Sequence, residues 1–427
     1  MNPGAVRAVS PESKSTQVKS VMKEKEIQTF TISCVPESRI CRVGEKAEFT
    51  ISAPIAGTEA EVVFTADGEA ELERKKITTP CTLKQGLPFP GVLRCEVSAP
   101  GMKPALAGAA FDPCDIRPAL PEPEDFREFW TDTFARLKKI PADFQMKEIP
   151  ELSGSGHTFY DLSCTALNGG RCYAFLRLPD VSGPVPMMIY FCGAGPGLPR
   201  EGFVQHCANA DSHFPGPVAL LLIFTHNYHP GDTYEEHRNL HETYMKSLNL
   251  RFYWSEGLDR GREHTFFYRA IPGAVRMCRL VSALPAVNRE RISYLGGSQG
   301  GAFGIFLSAF CPEINAAFCG DPAFCDCGGF LLGRHHTTSQ ADYFREHYQV
   351  MRYFDPVNFA PMIKVPVFTS CGFIDTTCPA SSVYAAYNAL GGGRMIFNKP
   401  LHGHCAVPEE YAPLSWFWVG CHLGLFK

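Results

Sequence analysis

Hydrophobic and polar residues alternate along the first part of the chain in the manner of β-strands. Three runs show this pattern most clearly, at 29–33, 47–51 and 60–66, and Pro, Gly or Asp-Gly turns separate them. A period of two places the apolar side chains on one face of a strand, and closely spaced turns are typical of antiparallel strands. Residues 26–110 are therefore predicted to form an N-terminal β-sandwich domain of the Ig-like type.

Two polar stretches flank this predicted domain. Residues 1–25 are charged and lack periodicity, which predicts a flexible tail. Residues 111–123 contain four prolines, which favour a stiff, extended linker. Asp125 then stands where a helix N-cap is expected, because aromatic residues recur after it at helical spacing.

The remainder, residues 124–427, alternates between short apolar runs and helical stretches. This order predicts an α/β fold with a doubly wound, mostly parallel sheet that helices cover on both faces. The predicted strands are 186–191, 219–224, 292–296, 316–320, 366–371 and 394–400, and the predicted helices are 268–284, 299–310 and 379–390. Residues 197–265 are rich in His, Tyr, Gly and Asp, and we expect them to form long loops at the carboxyl end of the sheet.

The composition excludes several classes of protein. Of 427 residues, 45% are hydrophobic and 20% are charged, which is typical of a globular protein. The net charge of −4 gives no electrostatic basis for binding nucleic acid or an anionic membrane. The longest apolar run, 218–224, is far shorter than the roughly 20 residues that span a bilayer.

Two further features bear on compartment and metal binding. The N-terminal residues lack the apolar centre of a signal peptide, so we expect a cytoplasmic protein, or a periplasmic or secreted one from which a signal peptide was removed. The 18 cysteines are scattered and include no C-x-x-C pair, which predicts reduced thiols and no metal site.

The strongest chemical signal is the run Gly-Gly-Ser-Gln-Gly-Gly around Ser298. A β-rich run precedes this G-x-S-x-G sequence and an apolar helical stretch follows it. At such a strand-to-helix turn, Gly296 and Gly300 let the chain pass closely and the serine hydroxyl stands above the sheet. Ser298 is therefore a candidate nucleophile, and the N–H of Gln299 is a candidate oxyanion donor at the helix start. The alternative is an ordinary serine in a glycine-rich turn.

An acid and a base follow at the ends of later predicted strands. Asp375 comes after the strand at 366–371, and His404 comes after the strand at 394–400. Because parallel strands end at the same edge of a sheet, both side chains are expected near Ser298, in the chain order Ser, Asp, His of α/β-hydrolases. Asp375 alternatively caps the following helix. His402 competes as the base, but His404 follows Gly403 at the far end of the loop, where the chain can turn back over the sheet.

Other candidate residues are less specific. The glycine-rich loop after strand 186–191 makes the Ala194 N–H a second oxyanion candidate, unless the loop is a plain turn. Pro322 and Phe324 follow strand 316–320, and they either wall a small acyl pocket or belong to the core. The remaining histidines have no tight metal-ligand spacing and are interpreted as polar loop or exposed residues: His226, His229, His237, His241, His335 and His336.

Several runs resemble one family in chain order, over about residues 118–427. The elbow around Ser298 is similar to that of acetyl xylan esterases and cephalosporin C deacetylases, which form carbohydrate esterase family seven. Four further runs are similar to motifs of this family. They are its acid-bearing segment with the following helix at 372–388, its Gly-His base at 403–404, and two motifs before the elbow at 125–130 and 267–269.

The resemblance implies an α/β-hydrolase that removes acetyl groups from acetylated sugars such as xylo-oligosaccharides. Ser298, Asp375 and His404 form the implied triad, with Gln299 and Ala194 as oxyanion donors and no metal or organic cofactor. The implied partners are a small-molecule acetylated sugar and further copies of the chain as a homo-oligomer, with no nucleic acid and no membrane.

The chain departs from the family's pattern at three places. The family's oxyanion loop usually reads His-Gly-Tyr, whereas residues 192–194 read Cys-Gly-Ala, so we expect a changed acyl or leaving-group preference. Gly273 and Ala274 stand where an acidic residue is common, and Cys405 stands where Glu often follows the base. Two alternative functions are a broad carboxylesterase or serine peptidase on the same fold, and a non-catalytic carbohydrate-binding protein.

Overall fold

The computed structural model describes residues 29–335, 341–406, 409 and 411–426. The predicted flexible tail at 1–25 lies outside these residues. Eight strands of the described chain precede the first α-helix: β1 Thr31–Val35, β2 Ile40–Cys41, β3 Ala47–Ser52, β4 Glu59–Ala66, β5 Ala70–Thr78, β6 Cys81–Gln85, β7 Gly91–Ser98 and β8 Ala105–Phe111.

These eight strands form two sheets around a shared apolar cluster. One sheet has the order β1-β3-β6 and the other has the order β2-β8-β7-β4-β5. The pairs are antiparallel except that β2 runs parallel to β8. Phe49 and Ile51 of the first sheet and Phe64 and Leu93 of the second are almost fully buried in one cluster. Burial of this apolar surface is what stabilises both sheets.

The later strands all belong to one nine-stranded sheet. They are β9 Gln145–Glu148, β10 His157–Thr165, β11 Arg171–Pro179, β12 Val185–Phe191, β13 Ala219–Ile223, β14 Val287–Gly297, β15 Ala316–Gly320, β16 Val367–Gly372 and β17 Arg394–Lys399, in the spatial order β17-β16-β15-β14-β12-β13-β11-β10-β9. The strands β12 to β17 are parallel to one another, whereas β9, β10 and β11 pair antiparallel. The sheet is therefore mixed.

Helices cover both faces of this sheet. They are α1 Phe126–Lys139, α2 Arg200–His213, α3 Tyr234–Leu248, α4 Phe266–Ser282, α5 Gln299–Phe310, α6 Ala341–Glu346, α7 Tyr348–Met351, α8 Pro356–Phe359, α9 Ala380–Ala389 and α10 Tyr411–His422. Strand β13 shows why both faces must be covered. Its residues Leu221 and Ile223 enter one apolar cluster, and Leu220 and Leu222 enter another on the opposite face.

The region 197–265 is more regular than the sequence suggested. It was expected to form loops around one strand, but it contains the helices α2 and α3. Helix α3 fully buries only His237, and its apolar residues Tyr244, Met245 and Leu248 pack partly buried against the main apolar cluster. Thr233 and Glu236 have the spacing of a capping box, and this signal was present in the sequence. In the structure the Thr233 hydroxyl accepts the N–H of Glu236, and the Glu236 carboxylate accepts the N–H of Asp232.

Two smaller expectations also need correction. Asp125 precedes α1, but its side chain makes no capping bond to the helix. Its carboxylate instead binds Arg262 at 2.7 Å and the hydroxyl of Tyr353. The proline-rich segment 111–123 is packed rather than freely extended, because the Asn388 amide donates to the carbonyls of Pro113 and Ile116 at 2.9 Å each.

Among the described helices, none is long and apolar enough to cross a bilayer.

Helix α5 can approach the sheet closely because it carries glycine at 304. A Cβ at Gly304 would lie 2.5 Å from Cε1 of Tyr294 and 2.6 Å from Sγ of Cys319. We expect Gly304→Ala to lower the free energy of unfolding by about 1–3 kcal/mol, because the rigid ring and the strand must move. Chemical denaturation measures the change. At Gly393, where a Cβ meets nothing nearer than 3.9 Å, alanine is the control and should cost under about 0.5 kcal/mol. Equal stability of the two variants would contradict the close approach.

Candidate active site

Ser298 lies at a sharp turn between β14 and α5. Its backbone angles, φ 57° and ψ −120°, are rare for a residue with a side chain and mark local strain. Two glycines make the turn possible. A Cβ at Gly296 would lie 2.8 Å from the carbonyl of Gly300, and a Cβ at Gly300 would collide with the carbonyl oxygen of Phe191. The Ser298 N–H also donates to Gly320 O at 2.8 Å, which ties the turn to β15.

Three side chains from distant parts of the sequence meet at this turn. The Ser298 hydroxyl donates to Nε2 of His404 over 3.0 Å, and Nδ1–H of His404 donates to Oδ2 of Asp375 over 2.8 Å. Asp375 is fully buried and Ser298 is 6% exposed, whereas the His404 side chain is 24% exposed. The structure thus brings together a hydroxyl, an imidazole and a carboxylate in the arrangement that nucleophilic catalysis requires.

The loop after β16 fixes the Asp375 carboxylate. Its Oδ1 accepts the backbone N–H groups of Thr377 at 2.7 Å and of Cys378 at 2.9 Å, which leaves Oδ2 for His404. The helix that follows, α9, begins after Pro379 and receives no side-chain cap. The alternative in which Asp375 caps that helix is therefore wrong.

His402, the competing base, makes a different set of contacts. Its backbone N–H donates to Lys399 O at 3.1 Å, and its Nδ1 is buried without a partner among the described residues. His404 is the imidazole in contact with both Ser298 and Asp375.

Neighbouring groups set the charge state of His404. Burial by itself lowers the pKa of His404, but the hydrogen bond to Asp375 and the thiols of Cys378 and Cys405 outweigh burial, so the pKa is raised above its ordinary value of 6.5. The carboxylate of Asp321, at the end of β15, also interacts electrostatically with His404. The surroundings therefore stabilise an imidazolium, the species that forms when a histidine accepts a serine proton.

A buried ion pair that the sequence did not reveal supports the histidine loop. Lys399 ends β17 with a side chain that has no exposure, and its Nζ lies 2.5 Å from Oδ2 of Asp321. The same Nζ donates to Ala406 O at 3.2 Å, so it joins both ends of the loop that carries His404. A lysine at the end of a predicted strand is normally exposed, and no local pattern distinguishes this one.

The predicted oxyanion donors belong to two segments that meet at Ser298. Gln299 is the first residue of α5, where a backbone N–H has no partner within the helix. Residues 192–195 follow β12, and a Cβ at Gly193 would lie 3.7 Å from Cβ of Ser298, so the Ala194 loop passes directly beside the turn. This placement suits two N–H donors that converge on one oxygen.

Three side chains hold the Ala194 loop from behind. His226 donates from Nε2 to Gly195 O over 2.8 Å, and His237 donates from Nε2 to Pro196 O over 2.6 Å. The Tyr253 hydroxyl accepts the Gly195 N–H at 3.3 Å and donates to the side-chain oxygen of Gln299. Tyr253 therefore links the two sides of the predicted oxyanion site.

The histidine-rich segment, residues 226–241, was interpreted as a polar loop. This interpretation is wrong for two of its histidines. His226 is 3% exposed and His237 is 1% exposed. Burial lowers the pKa of His226 to about 3 and also lowers the pKa of His237, so both rings are neutral donors at pH 7. His229 is partly exposed and binds Asp161, and His241 binds Tyr228. His335 binds Glu69, whereas His336 lies outside the described residues.

Pro322 and Phe324 follow β15 as expected but are both buried. Phe324 is 2% exposed and its ring lies 5.1 Å from the ring of Phe267 within the main apolar cluster. A Cβ at Gly301 would approach Cα of Pro322 to 2.9 Å, so Pro322 packs behind the turn. These contacts favour the core alternative for Phe324.

Comparison with known proteins identifies the family of the chain. The model of the acetyl xylan esterase family (AXE1) matches residues 114–412, well over half of the chain and the whole of the site. The chain belongs to the acetyl xylan esterase family. It is a carboxylic ester hydrolase, as the α/β fold and the family membership together show.

A similar curated relative is the acetyl esterase Axe7A of Xylanibacter ruminicola. It is 22% identical over 389 residues, which cover 88% of this chain and 87% of the relative. The similarity therefore extends beyond the residues that the family model matches.

Two solved structures share the fold. Acetyl xylan esterase 1 from Thermoanaerobacterium sp. JW/SL YS485 superposes with a TM-score of 0.60 at 22% identity, over 74% of this chain and 98% of that one. Acetyl xylan esterase from Paenibacillus sp. R4 gives 0.59 at 19% identity, over 72% and 98%. About a quarter of this esterase thus lies outside the superposed part.

The bridge through Tyr253 leads to a test of the oxyanion site. We expect Tyr253→Phe to lower kcat on the order of tenfold, less than the 10²–10³-fold of a lost donor, because the loop stays in place but loses its link to Gln299. Steady-state kinetics on an aryl acetate measure the change. Tyr228→Phe also removes one hydroxyl, from a tyrosine that binds His241 rather than the loop, and it serves as the control. Equal kcat in both variants would contradict the role of the bridge.

Proposed function

We propose that this esterase removes acetyl groups from acetylated carbohydrates, such as xylo-oligosaccharides, by a Ser-His-Asp acyl-enzyme mechanism. The observation that carries the proposal is the continuous relay from Ser298 through His404 to Asp375 at a strained strand-to-helix turn. The named activity of Axe7A and of the two structural relatives supports the acetyl group as the acyl part.

Each residue of the relay has one task. His404 takes the Ser298 proton at Nε2 while Oγ forms a bond to the acetyl carbonyl carbon. The N–H groups of Gln299 and Ala194 stabilise the negative oxygen of the tetrahedral intermediate. Asp375 keeps the Nδ1–H tautomer of His404 and stabilises the imidazolium. The imidazolium then protonates the departing sugar oxygen, and the same steps with water release acetate.

The small side chain of Ala194 bears on substrate choice. Ala194 stands where the family usually has tyrosine, so the site lacks an aromatic wall on the side of the oxyanion loop. Its neighbours Gly193 and Gly195 add no side chain either. We propose that this opening admits bulkier leaving groups or acyl groups than a tyrosine would allow.

Removing the nucleophile tests the proposed mechanism. We expect Ser298→Ala to reduce acetate release from acetylated xylo-oligosaccharides by at least about 10³-fold, because only transition-state binding by the oxyanion site remains. Acetate is measured enzymatically over time. Ser293→Ala is the matched control, because Ser293 is a buried serine of β14, five residues before Ser298, whose hydroxyl makes no hydrogen bond to the relay. Equal rates for wild type and Ser298→Ala would remove the nucleophile assignment.

Rates on other classes of substrate separate the alternative functions. Comparable rates on acetyl and butyryl esters would favour a broad carboxylesterase, and cleavage of peptide amides would favour a peptidase. Binding of the sugar without any acetate release would favour a non-catalytic carbohydrate-binding protein.

The pH dependence follows from the raised pKa of His404. The base works only when Nε2 is unprotonated, so kcat/KM falls as the pH drops through this pKa. Because Asp375 raises the pKa, we expect the acidic limb above 6.5, the ordinary value. Asp375→Asn should move the limb to lower pH and lower kcat on the order of 10³–10⁴-fold. Profiles of kcat/KM against pH provide the measurement, and the exposed Asp180→Asn is the control. An unmoved limb in Asp375→Asn would contradict the assignment.

The proposal also covers the domain organisation and the oligomeric state. We propose that the two N-terminal sheets form an Ig-like β-sandwich domain at about residues 26–110, followed by a linker at 111–123 and a catalytic domain at 124–427. Their shared apolar cluster supports this division. Homo-oligomeric assembly remains a prediction from the family resemblance.

A further inference from the structure

The loop that carries Asp375 lies directly against the sheet β2-β8-β7-β4-β5. A Cβ at Gly108 of β8 would lie 2.7 Å from the carbonyl oxygen and 2.9 Å from Cβ of Phe373, two residues before Asp375. Val92 and Ala110 of the same sheet are buried in the apolar cluster of the nine-stranded sheet rather than in the N-terminal one. The outer face of the five-stranded sheet is therefore packed on the catalytic part of the chain.

Arg94 projects from this packed face toward the acid. Its neighbours Leu93 and Cys95 point into the N-terminal cluster. Because side chains alternate along a strand, the Arg94 side chain points to the opposite face of the sheet. Arg94 is 4% exposed, and its Nη2 donates to the backbone carbonyl of Asp375. The carboxylate of Asp375 is held by its own loop and by His404, and Arg94 holds the carbonyl of the same residue.

A second contact joins the sheet to the helix that follows the acid. Ser381, in the first turn of α9, donates to Oδ2 of Asp67, the first residue of the β4–β5 turn. Burial raises the pKa of Asp67, and the charge of Arg94 opposes that rise. A Cβ at Gly68 would lie 2.5 Å from Nη1 of Arg94, so the turn closes tightly on the guanidinium. Arg94 and Asp67 thus bind this segment at two points, at Asp375 itself and at Ser381.

Burying a guanidinium costs free energy, so we do not expect Arg94 to be buried only to fill space. Removing a charged donor from water costs several kcal/mol unless hydrogen bonds and a nearby opposite charge offset the cost. Here the hydrogen bond goes to the residue that orients the base. Arg94 also lies outside residues 114–412, the part that the family model matches, so the family motif does not include it.

We propose that Arg94 is a positioning residue for ester hydrolysis: the N-terminal sheets hold the Asp375 loop through its guanidinium and thereby orient His404 toward Ser298. This inference rests on the proposed Ser-His-Asp mechanism. It assigns the N-terminal part of the chain a direct share in the catalytic geometry, beyond folding or assembly.

The test replaces Arg94 in the full-length chain by Met and by Gln, neither of which reaches the Asp375 carbonyl with a charged donor. We expect kcat for an aryl acetate to fall on the order of tenfold or more with KM within about twofold, because a displaced acid misorients the base. The acidic limb should move to lower pH, since Asp375 then raises the pKa of His404 less. The other groups that face His404, namely Cys378, Cys405 and Asp321, are unchanged in these variants.

Two further variants separate positioning from a general structural effect. Arg94→Lys retains a charged donor and should restore part of both kcat and the acidic limb. Arg74→Met removes a half-exposed arginine from β5 of the same sheet and should match wild type in both. Far-UV circular dichroism and the thermal midpoint establish that each variant is folded.

The outcomes are distinct. Wild-type kcat and an unmoved acidic limb in a folded Arg94→Met or Arg94→Gln protein overturn the proposal. If neither folds, Arg94→Lys decides, because a single amine cannot contact both the Gly68 turn and the Asp375 carbonyl as the guanidinium does. Lowered kcat with a shifted limb then supports positioning, and wild-type values overturn it. Retention of acetate release by Ser298→Ala would instead defeat the proposed function itself, whatever the Arg94 variants show.

Discussion

The close approach between α5 and the end of β12 is the constraint on which the rest of the site depends. Gly300 lies so near the carbonyl of Phe191 that no side chain fits between them. This contact forces the turn at Ser298 into its strained conformation and brings the Ala194 loop beside the hydroxyl. Because β12 and β14 are neighbouring parallel strands, one packing contact sets both the nucleophile and one side of the oxyanion site.

Buried polar groups then fix the rest of the site at the same edge of the sheet. Asp375, Asp321 and Lys399 are all nearly inaccessible to solvent, and each is bound to at least one partner from another element. A buried charge that lost its partner would cost several kcal/mol, so these contacts restrict the loops to one arrangement. The His404 side chain is more exposed than that of Asp375, which suits a group that must contact the substrate.

Local pattern was enough to predict the parts of the fold and site that depend on regular strands and helices. The strand at 316–320 and the helix at 299–310 were predicted with the observed bounds, because apolar runs and glycines mark them. The order of Ser298, Asp375 and His404 along a parallel sheet also implied their meeting, since parallel strands end at one edge. Their catalytic roles remain predictions.

The missed features depend on contacts between residues far apart in the chain. Nothing around His226 or His237 distinguishes a buried loop-holding imidazole from an exposed one, and Lys399 looked like an ordinary strand end. Arg94 lies on the face of β7 that points away from the N-terminal apolar cluster. In an isolated sheet this face would be exposed to solvent. Only the docking of two sheets reveals that this face is covered.

The altered oxyanion loop and its supports form one connected arrangement. With Cys192, Gly193 and Ala194, the loop has no large side chain to anchor it, and glycine gives its backbone more freedom than other residues. A donor that moves loses much of its value, because electrostatic stabilisation depends on being in place before charge develops. His226, His237 and Tyr253 bind the backbone of the loop from outside and so supply the rigidity that the loop's own residues lack. The loop's small residues leave its substrate side open, while its precision comes from the histidine-rich segment behind it.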